Sequence, residues 1–439
     1  MADKEISQQA YDEEGKRLGE EVEKRAGKSA GELYEEKEKR LRDAIELRVP
    51  DRVPFILATS YLPARWVDGL TSADSYHNHL AWRAAERQMV IDLDPDISSP
   101  QAGGSGAALS LLGPNLFKFP GDGVGENSSH QLIEGEPLKP DEYPVFLKDP
   151  TDFTLRYYLP RVWRNLEPLA KLPPLNSLWG PSSVSTAFGD PEIFKAFEIL
   201  YKAGQEQQKY FSVGFGLTDE LADMGYPPLA HGMAPAPFDI VSDYLRGMAG
   251  TMVDLYRHPD ELMQACEMML ERSIQTGMRA LQSRLGNPKR VMAALHRGSD
   301  GFLNLKHFET YYWDHLKQVI LAVTDQDMVF IPFYEGNWEQ RLEYMLDLPK
   351  GKTMARFAFT DLKQAKEVLG GHTCIMGGVP HSLLQTGTTN DVDKFCKELI
   401  ETVGKGGGFC LSTSTGITND AKPENVRAMA EAVKKYGSY

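Results

Sequence analysis

From residue 290 onward, short apolar runs recur along the chain at intervals of 15 to 35 residues: RVMAALHRG, MVFIPFYEG, KTMARFAF, HTCIMGGVP and GGFCLSTSTG. Runs of this length that stop at small or polar residues are the pattern of parallel strands buried on both faces. The stretches between them carry apolar residues at helical spacing. Three earlier runs look alike: Phe55 to Ala58 after Pro54, DPDISSPQ leaving at Ser98 and Ser99, and PPLNSLWGP ending near Trp179 and Gly180. Eight strands alternating with helices imply right-handed parallel crossovers, hence the α/β class and a (β/α)8 TIM barrel with an N-terminal helical extension.

The remaining segments fit around that frame. Residues 1–47 read as a helical arm, a loosely packed start followed by one amphipathic helix through Leu33, Tyr34, Leu41, Ala44 and Ile45. Residues 48–439 read as the barrel. Residues 100 to 160 are rich in Gly and Pro and poor in periodicity, which predicts a binding loop or lid. A long helix is predicted over 191–211, and FDIVSDYLRGMAGTMVDLYRHPDEL predicts helices packed outside the strands.

Composition narrows the function classes. The 439 residues are 41% hydrophobic and 25% charged, enough for one large core, and the formal net charge of −14 argues against a nucleic-acid or anionic-membrane partner. The four cysteines form no CxxC pair, so neither a disulfide framework nor a closed zinc site is expected. The polar start and the lack of long apolar runs lead to the expectation of a cytoplasmic protein.

Barrel chemistry is done from the C-terminal ends of the strands. There the pattern places Tyr61, Trp179, His296, Glu335, Phe359, His381 and Ser412 to Thr415. Glu335 is the leading catalytic candidate, because an ionisable group directly after an apolar run needs a perturbed pKa or a cation to face. Its bland alternative is an ion pair with Arg356. His296, with Asp300 four residues on, reads as a proton donor or metal ligand, Tyr334 as a further catalytic group that helps orient substrate, and Asn337 as a substrate-binding residue. Tyr61, His381, Ser412 and Thr415 complete the substrate-binding set.

Five segments carry a resemblance over roughly residues 45 to 437: RVPDRVPF, APFDIVSDYLRGMAGTMVDLYRHPDEL, GSDGFLNLKHFETYYWDHLKQV, DLKQAKEVLGGHTCIMGGVPHSLLQTGT and GGGFCLSTSTGITNDAKPENVRAMAEAVKKYG. In these the chain resembles the uroporphyrinogen decarboxylase superfamily, which includes the corrinoid-dependent methyltransferases. The resemblance implies the barrel, a homodimer, and two enzyme classes. Decarboxylases of the family carry an arginine-containing MRQAGRY-type segment after the first strand, where this chain has ATSYLPARW with only Arg65. The thiol-methylating branch holds zinc through H-x-C and a later Cys, positions that here carry Phe333, Glu335 and Thr415. What the resemblance then implies is methyl transfer from a small O- or N-methylated compound to a corrinoid protein, an O-demethylation type of reaction. The corrinoid would be on the partner, and zinc would have only Glu335 and His296 to hold it. A decarboxylase-like lyase of porphyrin biosynthesis and a catalytically silent corrinoid- or tetrapyrrole-binding barrel remain as alternatives.

Overall fold

The computed structural model describes residues 6–100 and 103–439. Two helices come first, α1 (Gln8–Ala26) and α2 (Ala30–Ile45). The Ser7 side chain accepts from the Ala10 N–H to start α1, and Gly27 at φ 64° ends it in the left-handed conformation that glycine adopts without strain. Ser29 and Glu32 form a capping box at the head of α2. One helix was expected here and there are two, because Tyr11, Leu18 and Val22 give α1 a buried stripe of its own. From α2, Leu41, Ala44 and Ile45 pack with Val329, Ile331, Met354 and Cys410 at the core of the strands. Glu38 of the same helix accepts from Arg290 Nη1 and Nη2 at 2.7 and 2.9 Å, both residues buried.

Eleven strands follow: β1 (Ile56–Thr59), β2 (Ile97–Pro100), β3 (Phe117–Pro120), β4 (Gly123–Val124), β5 (Gln131–Leu132), β6 (Gly232–Met233), β7 (Arg290–Leu295), β8 (Val329–Tyr334), β9 (Met354–Phe357), β10 (Cys374–Val379) and β11 (Phe409–Thr413). Strands β6 to β11 form one all-parallel sheet in sequence order, and β1 and β2 form a separate parallel pair. Single parallel bridges, Phe55 to Leu411 and Ser98 to Pro228, stand where the pair meets the two edges of the sheet. The architecture is α/β, with helices between successive parallel strands.

Two expectations are corrected. PPLNSLWGP is not a strand: Leu175–Ser177 is a single 3₁₀ turn and Trp179 is 80% exposed, since prolines on both sides deny the segment ladder partners. The sheet instead takes the two-residue β6 as the neighbour of β7. The stretch from 100 to 160 is also more ordered than a loop, with a helix at Gly106–Leu112, the small sheet of β3 to β5, and helical turns from Pro140. The long helix runs Pro191–Asp223. No helix among the described residues is long and apolar enough to cross a membrane.

Candidate active site

Side chains alternate across a strand, and β8 shows the consequence. Val329 and Ile331 face the inner cluster, Phe330 and Tyr334 face the helices, so Phe333 and Glu335 fall on the inner side. Tyr334 is therefore turned away from Glu335: it is fully buried, with its ring 4.6 Å from Trp338 and 5.2 Å from Phe357. The expectation that it takes part in catalysis fails on this parity.

His296, directly after β7, comes to the same side as Glu335, with Nε2 3.8 Å from Glu335 Oε1. Its carboxylate partner is not Asp300, which faces Arg341 Nε at 3.2 Å. A short bond joins His296 Nδ1 to Asp243 Oδ2 instead, and Arg297 Nη2 donates to Asp243 Oδ1 at 2.8 Å. Behind it, buried Asp239 accepts from the His296 and Arg297 backbone N–H groups at 2.9 and 3.0 Å and from the Tyr312 hydroxyl at 2.7 Å. Both aspartates come from one helical segment, Pro237–Ile240 running into a π-helical turn at Val241–Leu245. The extra residue of such a turn re-aims side chains, and π turns are frequent at functional sites.

This framework sets the charge. Burial works against a charged His296, but the bond to Asp243 and the charges of Glu335 and Asp239 outweigh it and raise the imidazole to about 9. At neutral pH it is an imidazolium, with Nδ1–H donated to Asp243 and Nε2–H free to face the opening. Burial pushes the Glu335 carboxyl above its usual range, with His296 opposing the rise. Asp239 is driven up to about 6 by its burial, again with His296 opposing. The cluster can thus hold a proton on Nε2 beside a half-exposed carboxyl group, an arrangement suited to general acid catalysis.

A cavity of about 520 Å³ opens onto His296, Arg297 and Asp243. Its other walls are mostly apolar and aromatic, among them Phe117, Ile133, Tyr158, Trp163 and Tyr244, with Glu134 and Ser242 as polar exceptions. Phe117 and Ile133 come from the Gly-rich stretch read as a lid.

The other expected site residues scatter. Asn337 accepts from the Glu339 N–H at 3.1 Å, just before the 3₁₀ helix Glu339–Asp347. The Tyr61 hydroxyl is buried against the Tyr76 hydroxyl and His130 Nδ1, at 3.2 and 2.9 Å. Ser412 Oγ donates to the Ile56 carbonyl at 2.8 Å, tying β11 to β1. His381 pairs with Asp420 at 2.8 Å, and with Thr415 it lines a different cavity of about 550 Å³ near Phe359. Glu335 and His296 are the expected pair that the fold does bring together; Asp239, Asp243 and Arg297 escaped the sequence reading, although two aspartates four apart on an apolar helix were a usable signal.

The register sets Arg356 beside Phe333, with its guanidinium 4.4 Å from the centre of that ring, and it is only 1% exposed. It makes no ion pair with Glu335. Its Nε and Nη2 have no hydrogen-bond partner, and burial lowers its pKa to about 10, with Glu335 as the opposing charge. As for a metal, no group of three or more His, Cys, Asp or Glu among the described residues is arranged to hold an ion. Glu335 and His296 offer one oxygen and one nitrogen, short of the three protein ligands of a catalytic zinc, so the donor set does not fit zinc.

Residues 221–436, which supply β6 to β11 and both aspartates, match the family model of uroporphyrinogen decarboxylase (URO-D). No curated protein sequence matches the chain. Among solved structures 28 chains match. A methyltransferase from Methanosarcina mazei is 15% identical, with a TM-score of 0.56 over 91% of this chain and 98% of that one. At that identity the likeness speaks for a shared fold over nearly the whole length of both chains. Through residues 221–436, just under half of its length, the chain carries a domain of the uroporphyrinogen decarboxylase family.

Proposed function

We propose that this protein is a methyltransferase that takes a methyl group from a small O- or N-methylated compound and passes it to a corrinoid protein. We read the parallel pair, the six-stranded sheet and the bridges between them as one (β/α)8 barrel spanning residues 48–439, with residues 1–47 as its helical extension. A cytoplasmic homodimer completes the proposal.

The observation that carries the reading is the placement of His296, held by Asp243 and standing 3.8 Å from Glu335 at the edge of an aromatic cavity. Loss of a methyl group leaves an alkoxide, phenoxide or amine, and an oxyanion leaves poorly unless protonated. In the proposed step the bond between methyl carbon and heteroatom breaks with its electron pair on the heteroatom, and the Nε2 proton of His296 moves there. The methyl goes to the reduced cobalt that the partner protein's corrinoid supplies when docked. Asp243 keeps the imidazole oriented and charged, Asp239 fixes the backbone that carries it, and Glu335 stabilises the charge. The rings of Phe117, Tyr158 and Trp163 exclude water from the donor. A leaving group of phenolic acidity is well matched to a donor raised to about 9.

The test mixes purified protein with a reduced free corrinoid and a panel of methoxylated aromatics and methylamines, following cobalt methylation by absorbance. Methylation that requires the protein and one donor class, and that falls in His296→Gln, supports the reading. A panel that stays silent with both free corrinoid and the cognate corrinoid protein overturns it.

A further inference from the structure

Arg356 has no part in the proton relay just described, and its state is unusual. A guanidinium is costly to bury unless it is paired, and here Nε and Nη2 face no acceptor at all. Arginines elsewhere in the chain show what that edge is for. Arg40 presents Nε and Nη2 to Asp51 at 2.7 and 2.6 Å, and Arg156 presents the same pair to Asp152 at 2.8 and 2.6 Å. Each is a planar fork gripping one carboxylate through two parallel bonds. On Arg356 the same fork is empty.

Its place on β9 sets it on the inner side of the sheet, beside the half-exposed Phe333. Inward-facing Met292 and Ala294 of β7 and Phe333 of β8 are half-buried where their strand neighbours are buried, so the inner side of the sheet opens toward its mouth along them. Arg356 lies on that side, against the Phe333 ring, with Glu335 one turn of the alternation above.

We propose that Arg356 is a substrate-binding residue that grips a carboxylate of the methyl donor through Nε and Nη2, so that the donor is an anionic methylated acid with its methyl group presented beside His296 and Glu335. This rests on methyl transfer taking place at His296 and Glu335, as in the reading above, with the donor reaching from that pair to Arg356. An anchoring carboxylate would complete the guanidinium's hydrogen bonds and neutralise it in place. Glu335 stays unpaired with Arg356 because its own role lies toward His296.

The experiment measures binding, not turnover. Wild-type protein, Arg356→Lys and Arg356→Met are titrated calorimetrically with 3-methoxybenzoate and other small methylated carboxylates, and with anisole as the neutral counterpart. At least one carboxylate is expected to bind the wild type, at least tenfold more weakly to Arg356→Lys, which cannot form the fork, and more weakly still to Arg356→Met; anisole affinity should not follow the substitution. Thermal denaturation guards against a folding artefact: ligand-free Arg356→Met should melt at or above the wild-type temperature, because an unpaired buried charge has been removed. No carboxylate binding to the wild type, or binding unchanged in both variants, overturns the assignment, as does a melting temperature lowered in Arg356→Met without any carboxylate raising that of the wild type. The two readings separate cleanly. Carboxylate binding without corrinoid methylation sinks methyl transfer and leaves the anchor, whereas methylation from neutral donors that ignores Arg356 does the reverse.

Discussion

Replacing Asp243 with asparagine keeps the shape of the side chain beside His296 and removes the charge that sustains the imidazolium. In the wild type the imidazole titrates near 9, against an ordinary value of about 6.5. A difference of that size corresponds to about 3 kcal/mol of preference for the charged form, and because the side chain keeps 32% of its surface in solvent, screening reduces it to about 1–3 kcal/mol. The sign follows from linkage. A folded-state pKa above the unfolded one stabilises the fold fully below about 6.5, and the contribution is lost as pH rises through about 9. NMR titration of the His296 ring should thus give a midpoint near 9 in the wild type and one displaced toward the ordinary value in Asp243→Asn, where burial remains but the main opposing bond is gone. Urea denaturation should show the wild type losing part of that 1–3 kcal/mol between pH 6 and pH 10, with a smaller loss in the variant. Asp300→Asn is the control, since Asp300 faces Arg341 rather than His296. A wild-type midpoint at the ordinary value, or equal midpoints in wild type and Asp243→Asn, would refute the electrostatic account of the site.

Other consequences are structural. Glu38→Gln leaves the buried Arg290 guanidinium without its counter-charge and should cost about 3–5 kcal/mol of unfolding free energy in a denaturant titration. In Gly298→Ala the new Cβ would meet the Trp338 and Tyr312 rings at 2.2 and 2.4 Å, so a loss of about 1–3 kcal/mol is expected, with shifted His296 resonances because the loop that His296 opens must move. Tyr334→Phe should leave cobalt methylation close to wild type, since this ring packs among Trp338 and Phe357 and not at the cavity; a large loss of activity with normal stability would contradict its placement.

How far the sequence could be read depended on what each signal measures. Strands β7 to β11 were legible because a strand buried on both faces needs a short, largely apolar run, which each one has even where Arg356 interrupts β9. Strand β6 was not, because two residues, Gly232 and Met233, meet the neighbouring strand without any apolar run, while PPLNSLWGP has the apolar content and lacks a partner. At the site, Glu335 and His296 stood out because polar groups interrupt apolar strands there. Tyr334 was misplaced by reading proximity in sequence as proximity in space, against the alternation of the strand. Asp239 and Asp243 were hidden in a helix whose apolar neighbours dominate its pattern, and only the fold sets that helix against the loop after β7. That Arg356 lacks a partner could not be inferred from composition, which shows an acid close by in sequence order but not the distance between them.

The central claim is that His296 delivers the proton that lets the leaving group depart. It is tested most directly by comparing single-turnover methyl transfer in wild type and His296→Gln across donors whose leaving groups differ in basicity. The account predicts that the variant is slower by about 10²–10⁴-fold with a phenoxide leaving group, and that the deficit shrinks steadily as the leaving group becomes more acidic and needs the proton less. Equal rates in the two proteins, or a deficit that does not change with the leaving group, would contradict it.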